Sequence, residues 1–118
     1  MPRITLGFVG PRLPAGERAR WNALLSKQGI DGCYDFYRAA SRDDLQLRLS
    51  EMFLLDRRGY AVAAEWEHSV VELLDTLDDA ARTAGRADTV VNIGGVLHGT
   101  ICGHADASMA KRLSLWAA

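Results

Sequence analysis

Apolar residues alternate along this chain between short unbroken runs and stretches where they recur every three or four positions, the pattern of buried strands interleaved with amphipathic helices. Ile4–Val9 (ITLGFV) is apolar and β-branched and closes at Gly10-Pro11, which predicts a buried strand ended by a turn. Trp21, Leu24 and Leu25 share one helical face, and Gly29 stands where a left-handed residue ends the helix, so a helix is expected over about Gly16–Gln28. Cys33–Tyr37, aromatic-rich and preceded by Asp31-Gly32, predicts a second strand. Ser41 with Asp44 three residues on is a capping signature, and Leu45, Leu49, Met52 and Phe53 continue it as a helix that stops near Arg57-Arg58-Gly59.

Tyr60–Ala64 is rich in alanine, which favours helices, but its place between two helices asks for a short strand. Trp66, Val70, Leu73, Leu74, Leu77 and Ala81 form a helical stripe, so a third helix is expected to run to Gly85. Asp88–Ile93 and Val96–Cys102 read as strands joined at Gly94-Gly95, the strongest hairpin signal in the chain. Met109, Leu113 and Trp116 predict a last helix over Ala105–Trp116. The order implies an α/β fold: one three-layer domain over residues 1–118, with a mostly parallel sheet and one antiparallel hairpin.

Composition narrows the function. With 118 residues, 48% hydrophobic and 25% charged, the chain suits one globular domain. Fourteen basic and fifteen acidic residues leave a net charge of −1, which excludes a charge-driven binder of nucleic acid or anionic membranes. No apolar run is long enough to span a membrane, and Met1-Pro2-Arg3 does not open a signal peptide, so a cytoplasmic location is expected. Cys33 and Cys102 stand in no metal or redox spacing and read as packed thiols; no metal site is expected.

A longer pattern emerges in GYAVAAEWEHSVVELLDTL (Gly59–Leu77), followed by Ala81-Arg-Thr-Ala-Gly85, Asp88-Thr-Val-Val-Asn92 and Gly95-Val-Leu-His-Gly99. Upstream, Val9-Gly10-Pro11, Trp21-Asn22 and Gly29–Tyr37 fit the same pattern. From about Ile4 to Leu113 the order and spacing resemble the N-terminal substrate-binding domain of shikimate dehydrogenases. That family carries G-x-N-V-T-x-P-x-K, A-V-N-T-V-V and G-x-L-x-G-x-N-T-D. The resemblance places Glu67 at the catalytic lysine, Asp88 at the substrate-binding asparagine, and Ile101-Cys102-Gly103 at the N-T-D triplet. It also places Ala63 and Glu65 at the threonine and proline, and Ala15-Gly16-Glu17 at the S-x-S pair that holds a substrate carboxylate. On this resemblance the family's nucleotide-binding half is expected to be missing. Gly94, Gly95 and Gly99 form no phosphate-cradling loop between a strand and a helix, so neither NAD nor NADP nor any other cofactor is expected.

The resemblance sets Glu67 and Asp88 in a cleft, where Glu67 is expected to transfer a proton and Asp88 to orient the ligand or share that proton. His104, just past the altered triplet, is a further candidate, with His98 behind it. Arg12 offers a fork for a ligand carboxylate, while Glu17, Asn22, Ala63 and Cys102 fall at matched substrate-contact positions; Arg18 and Arg20 read as a solvated helix face. Two readings follow. One is a cofactor-independent isomerase, tautomerase or lyase acting on a small cyclic or keto carboxylate; the other is a non-catalytic small-molecule-binding or assembly domain. Met109, Leu113, Leu115 and Trp116 on the last helix also suggest a homodimer packed through that helix.

Overall fold

The computed structural model describes residues 3–105 and 107–118; the reading of Met1-Pro2 and position 106 of the expected last helix lie outside them. Six strands form one sheet in the order β2-β1-β3-β5-β6-β4, where β1 is Ile4–Gly10, β2 Gly32–Arg38, β3 Gly59–Val62, β4 Thr76–Leu77, β5 Thr89–Ile93 and β6 Val96–Thr100. The sheet is mostly parallel: β1 pairs parallel with β2 and β3, and β4 with β6, while β5 alone runs against the rest. It forms the expected hairpin with β6 and also pairs antiparallel with β3. Gly94 and Gly95 both have positive φ (60° and 91°), the conformation a two-residue hairpin turn requires.

Helices α1 (Glu17–Lys27) and α4 (Ala107–Trp116) cover one face, and α2 (Arg42–Leu54) covers the other. Strand period decides which residues go where: Tyr60 and Val62 of β3 join the core under α2, and Ala61 joins the core under α1 and α4. The Ser41 cap forms as the sequence indicates, its Oγ accepting from the Asp44 amide at 3.1 Å. The Asp44 carboxylate accepts from the Ala40 amide in return.

Two expectations are corrected. The stripe from Trp66 to Ala81 is not one helix: it folds as 3-10 turns at Ala64–Trp66 and Ser69–Leu73, the edge strand β4, and a short helix α3 at Asp79–Ala84. Aspartates break it. Asp75 exchanges its backbone amide and a carboxylate oxygen with Leu97 on β6, and Asp78 caps α3 through the Ala81 amide while its own amide donates to Gly99. Pairing to the open edge of β6 thus outweighs helical periodicity.

The second correction concerns the last helix. Leu113 and Trp116 are buried in the domain's own core, with Trp116 0% exposed and its ring centroid 5.2 Å from that of Trp21, so they are not free to anchor a dimer. Among the described residues no helix is long and apolar enough to cross a membrane.

Candidate functional site

The end of the sheet at which β3 and β6 terminate gathers the candidate chemistry. Strand β3 exits through Ala63 into the first 3-10 turn, which delivers Glu67; β6 exits to Cys102, Gly103 and His104. Because β5 runs the opposite way, its entry rather than its exit lies at this end of the sheet, and Asp88 stands at that entry. Backbone hydrogen bonds fix the arrangement: the Val62 amide donates to Asp88 O, the Ala87 amide to Glu67 O, and the Asp88 amide to Thr100 O.

Glu67, Asp88 and His104 therefore converge, with one side-chain ligand atom from each lying within 4.8 Å of the other two. Asp88 is fully buried. Its Oδ1 accepts from the Cys102 amide (2.8 Å) and the Thr89 hydroxyl (2.9 Å), and its Oδ2 from the Gly103 amide (2.9 Å). The Arg112 guanidinium lies 3.3 Å from Oδ1. Glu67 is 5% exposed and accepts from Arg86 at Oε1 (2.8 Å). Its Oε2 is 3.2 Å from Nε2 of His104, yet the angles do not make a hydrogen bond, and this buried oxygen has no hydrogen-bond partner among the described residues.

In front of this cluster lies a cleft of about 480 Å³, lined in part by Phe8, Trp21, Ala61, Ala63, Met109 and His104. Arg12, Glu17, Arg20, Glu65, Ser108 and Arg112 supply its polar wall. Of the residues expected to bind a ligand, Arg12, Glu17 and Ala63 line the cleft, while Asn22 and Cys102 do not. Asn22 instead ties α1 to β2, its amide donating to Tyr34 O and its carbonyl accepting from Tyr34 N. Cys102 contributes its backbone amide to Asp88. Neither Glu67 nor Asp88 lines the cleft; of the three converging residues His104 alone does. His98 lies elsewhere, against Thr76 on the β4–β6 edge.

The Glu17 carboxylate accepts from Tyr34 (2.7 Å) and from Arg20 (3.1 Å). Burial, reinforced by that carboxylate, holds the Tyr34 phenol far above its ordinary pKa, so it stays a donor to Glu17. Arg20, read in the sequence as solvated, is thereby brought to the cleft. Arg12 is only loosely engaged, 3.8 Å from Glu65 and largely exposed.

Two residues escaped the sequence reading. Arg112 is buried, bonding Thr89 (2.8 Å) and Ser108 (3.0 Å). Its signal was present: Ser108, Arg112 and Trp116 recur every four residues, so a cation sits within the apolar stripe of α4. Arg86 gives no such signal, since only the fold brings it to Glu67.

Comparisons with known proteins bear on the fold and its relatives. No family model matches the chain. A shikimate dehydrogenase (NADP(+)) from Dehalococcoides mccartyi is 39% identical over 100 residues, 84% of this chain and 35% of the relative. One from Streptococcus sanguinis is 32% identical over 78 residues, 66% of this chain and 27% of the relative. Among solved structures, shikimate 5-dehydrogenase from Listeria monocytogenes in complex with shikimate and NAD superposes with a TM-score of 0.78 at 25% identity, over 84% of this chain and 34% of that one. Quinate dehydrogenase from Corynebacterium glutamicum gives 0.73 at 27% identity, over 81% and 36%. The chain thus spans about a third of the length of the relatives it matches.

Proposed function

We infer that this chain, a homologue of shikimate dehydrogenases over about a third of their length, binds a small cyclic or keto carboxylate in its cleft and moves a proton on it, as an isomerase, tautomerase or lyase does. The observation that carries the reading is the pairing of His104, on the cleft wall, with buried Glu67 behind it. Hydride transfer of the relatives' kind is disfavoured, because the resemblance sets Glu67 and Gly103 where that family has its catalytic lysine and aspartate.

The ligand carboxylate docks on Arg12 and Arg20, whose guanidinium groups offer paired donors at the cleft mouth. Phe8, Trp21 and Met109 pack against its apolar body. A turn of the exposed His104 ring sets Nε2–H on Glu67 Oε2, leaving Nδ1 as the base. Nδ1 takes a proton from the carbon next to the ligand carbonyl, and the electron pair moves into the carbonyl oxygen. Return of the proton at another atom gives an isomer, whereas departure of a β-substituent gives an alkene. Glu67 orients the imidazole and offsets the charge it gains.

The test is solvent deuterium exchange into a panel of cyclic hydroxy- and keto-carboxylates. On this reading exchange occurs, and His104→Ala and Glu67→Gln each reduce it by ~10²-fold or more. Saturable binding without exchange in the wild-type protein would overturn it in favour of the non-catalytic binding domain, a reading that the ion pairing of Glu67 with Arg86 favours.

A further inference from the structure

The contact between Glu67 and His104 has a feature that proton transfer does not account for. Oε2 of Glu67 is a buried carboxylate oxygen with no hydrogen-bond donor among the described residues, and a bare anionic lone pair in the interior costs free energy unless something compensates it. The nearest candidate, Nε2 of His104, is close at 3.2 Å but not aligned to donate. Two atoms that bind the same tetrahedral ion at 2.0–2.1 Å stand about 3.3 Å apart without aiming at each other. The spacing and the misalignment both match that arrangement.

We propose that Glu67, Asp88 and His104 form a binding site for one divalent transition-metal ion, with Oε2 of Glu67, a carboxylate oxygen of Asp88 and Nε2 of His104 as ligands. Each carboxylate is already held by neighbouring donors. Arg86 holds Oε1 of Glu67, and the Cys102 amide, Thr89 hydroxyl and Arg112 hold Oδ1 of Asp88. Among the described residues Oδ2 of Asp88 accepts only from the Gly103 amide, so it has capacity for a further ligand. Such outer partners fix ligand geometry in metal sites. Two oxygens and one imidazole suit zinc, manganese or iron, and three protein ligands leave a fourth position open, as in catalytic rather than structural sites.

The ligand atoms lie within 4.8 Å of one another, so reaching separations of about 3.3 Å requires movement, part of which the exposed His104 can supply because it follows Gly103, a residue with φ of 91°. Arg86 and Arg112 offset part of the carboxylate charge, so micromolar rather than structural-zinc affinity is expected. The site is that of the reading above, but the inference does not depend on turnover. A metal ion and a mobile proton are alternative occupants of the gap between Glu67 and His104.

Calorimetric titration of the chelator-treated full chain with Zn2+ tests it, with Co2+ absorption as a second readout. The expected result is one saturable site per chain, micromolar or tighter. Affinity should fall at least ~10-fold in His104→Ala and in Glu67→Gln and stay unchanged in His98→Ala. Bound Co2+ should show the visible bands of tetrahedral coordination, lost in His104→Ala. His104 is exposed, so its variant should fold and keeps the test decisive if Glu67→Gln does not. Absence of saturable binding, or equal affinity in His104→Ala, would overturn the site. Zinc binding without deuterium exchange supports the metal site and defeats the proposed reaction, and exchange without zinc binding does the reverse.

Discussion

The indole nitrogen of Trp116 donates to the carbonyl of Val90 at 3.1 Å, and it does so across Gly59, where a Cβ would stand 2.0 Å from that nitrogen. Helix α4 is thereby bonded to the middle of the sheet through a position that only a residue without a side chain permits. Trp116→Ala should cost about 3–5 kcal/mol, as for other large buried aromatics. Gly59→Ala should cost a comparable amount, because the indole must leave its place. Denaturant unfolding of the two variants checks both, and wild-type stability in Gly59→Ala would mean that α4 does not pack here.

Arg112 joins α4 to the candidate site by bonding Thr89 and Ser108 and lying against Asp88. Arg112→Met leaves Asp88 buried without its cation, and breaking buried pairs of this kind costs about 3–5 kcal/mol. The expected outcome is a lower denaturation midpoint with an unchanged dependence on denaturant concentration.

Stability should also fall in acid through Glu51. Hydrogen bonds from Arg48, and then from Arg57, hold its carboxyl below the ordinary 4.5. A carboxyl lowered on folding contributes stability above its unfolded value, and that contribution is lost as pH falls through the folded one. In Glu51→Gln the loss of stability below about pH 4.5 should be shallower than in the wild type, as thermal melts across pH 3–6 would show. Identical slopes would remove Glu51 from the acid response.

Nucleotide binding should fail. The paired glycines Gly94 and Gly95 join two strands, whereas a phosphate cradle needs glycines between a strand and a helix N-terminus. Titration with NADP+ should give no saturable heat, and micromolar binding would contradict this.

Sequence and structure agree where local chemistry is decisive. The Ser41 cap, the left-handed glycines Gly29 and Gly85 after their helices, and the Gly94-Gly95 turn all depend on neighbours in the chain, and all stand where the residues placed them. Glu67, Asp88 and His104 were also legible, though through resemblance rather than periodicity, and the structure brings them together. The burial of Glu67 and Asp88 was not legible, since it is compensated by Arg86 and Arg112, which other parts of the chain bring in. The stripe after Trp66 misled for a related reason. Its apolar spacing is helical, but the edge of β6 offered Asp75 and Asp78 hydrogen bonds that no local rule weighs.

The reversed direction of β5 bears on how the protein acquires its site. Glu67 and Asp88 precede that strand, and His104 and Arg112 follow its hairpin partner, so the whole cluster lies in the C-terminal half of the chain. A partly folded chain that has assembled only β1, α1, β2 and α2 has a sheet but no chemistry. The site becomes competent only once β5 has paired with both β3 and β6, and pairing between strands separated in sequence forms slowly. Loss of the site on unfolding should therefore coincide with loss of the sheet, leaving no window in which a damaged protein still acts.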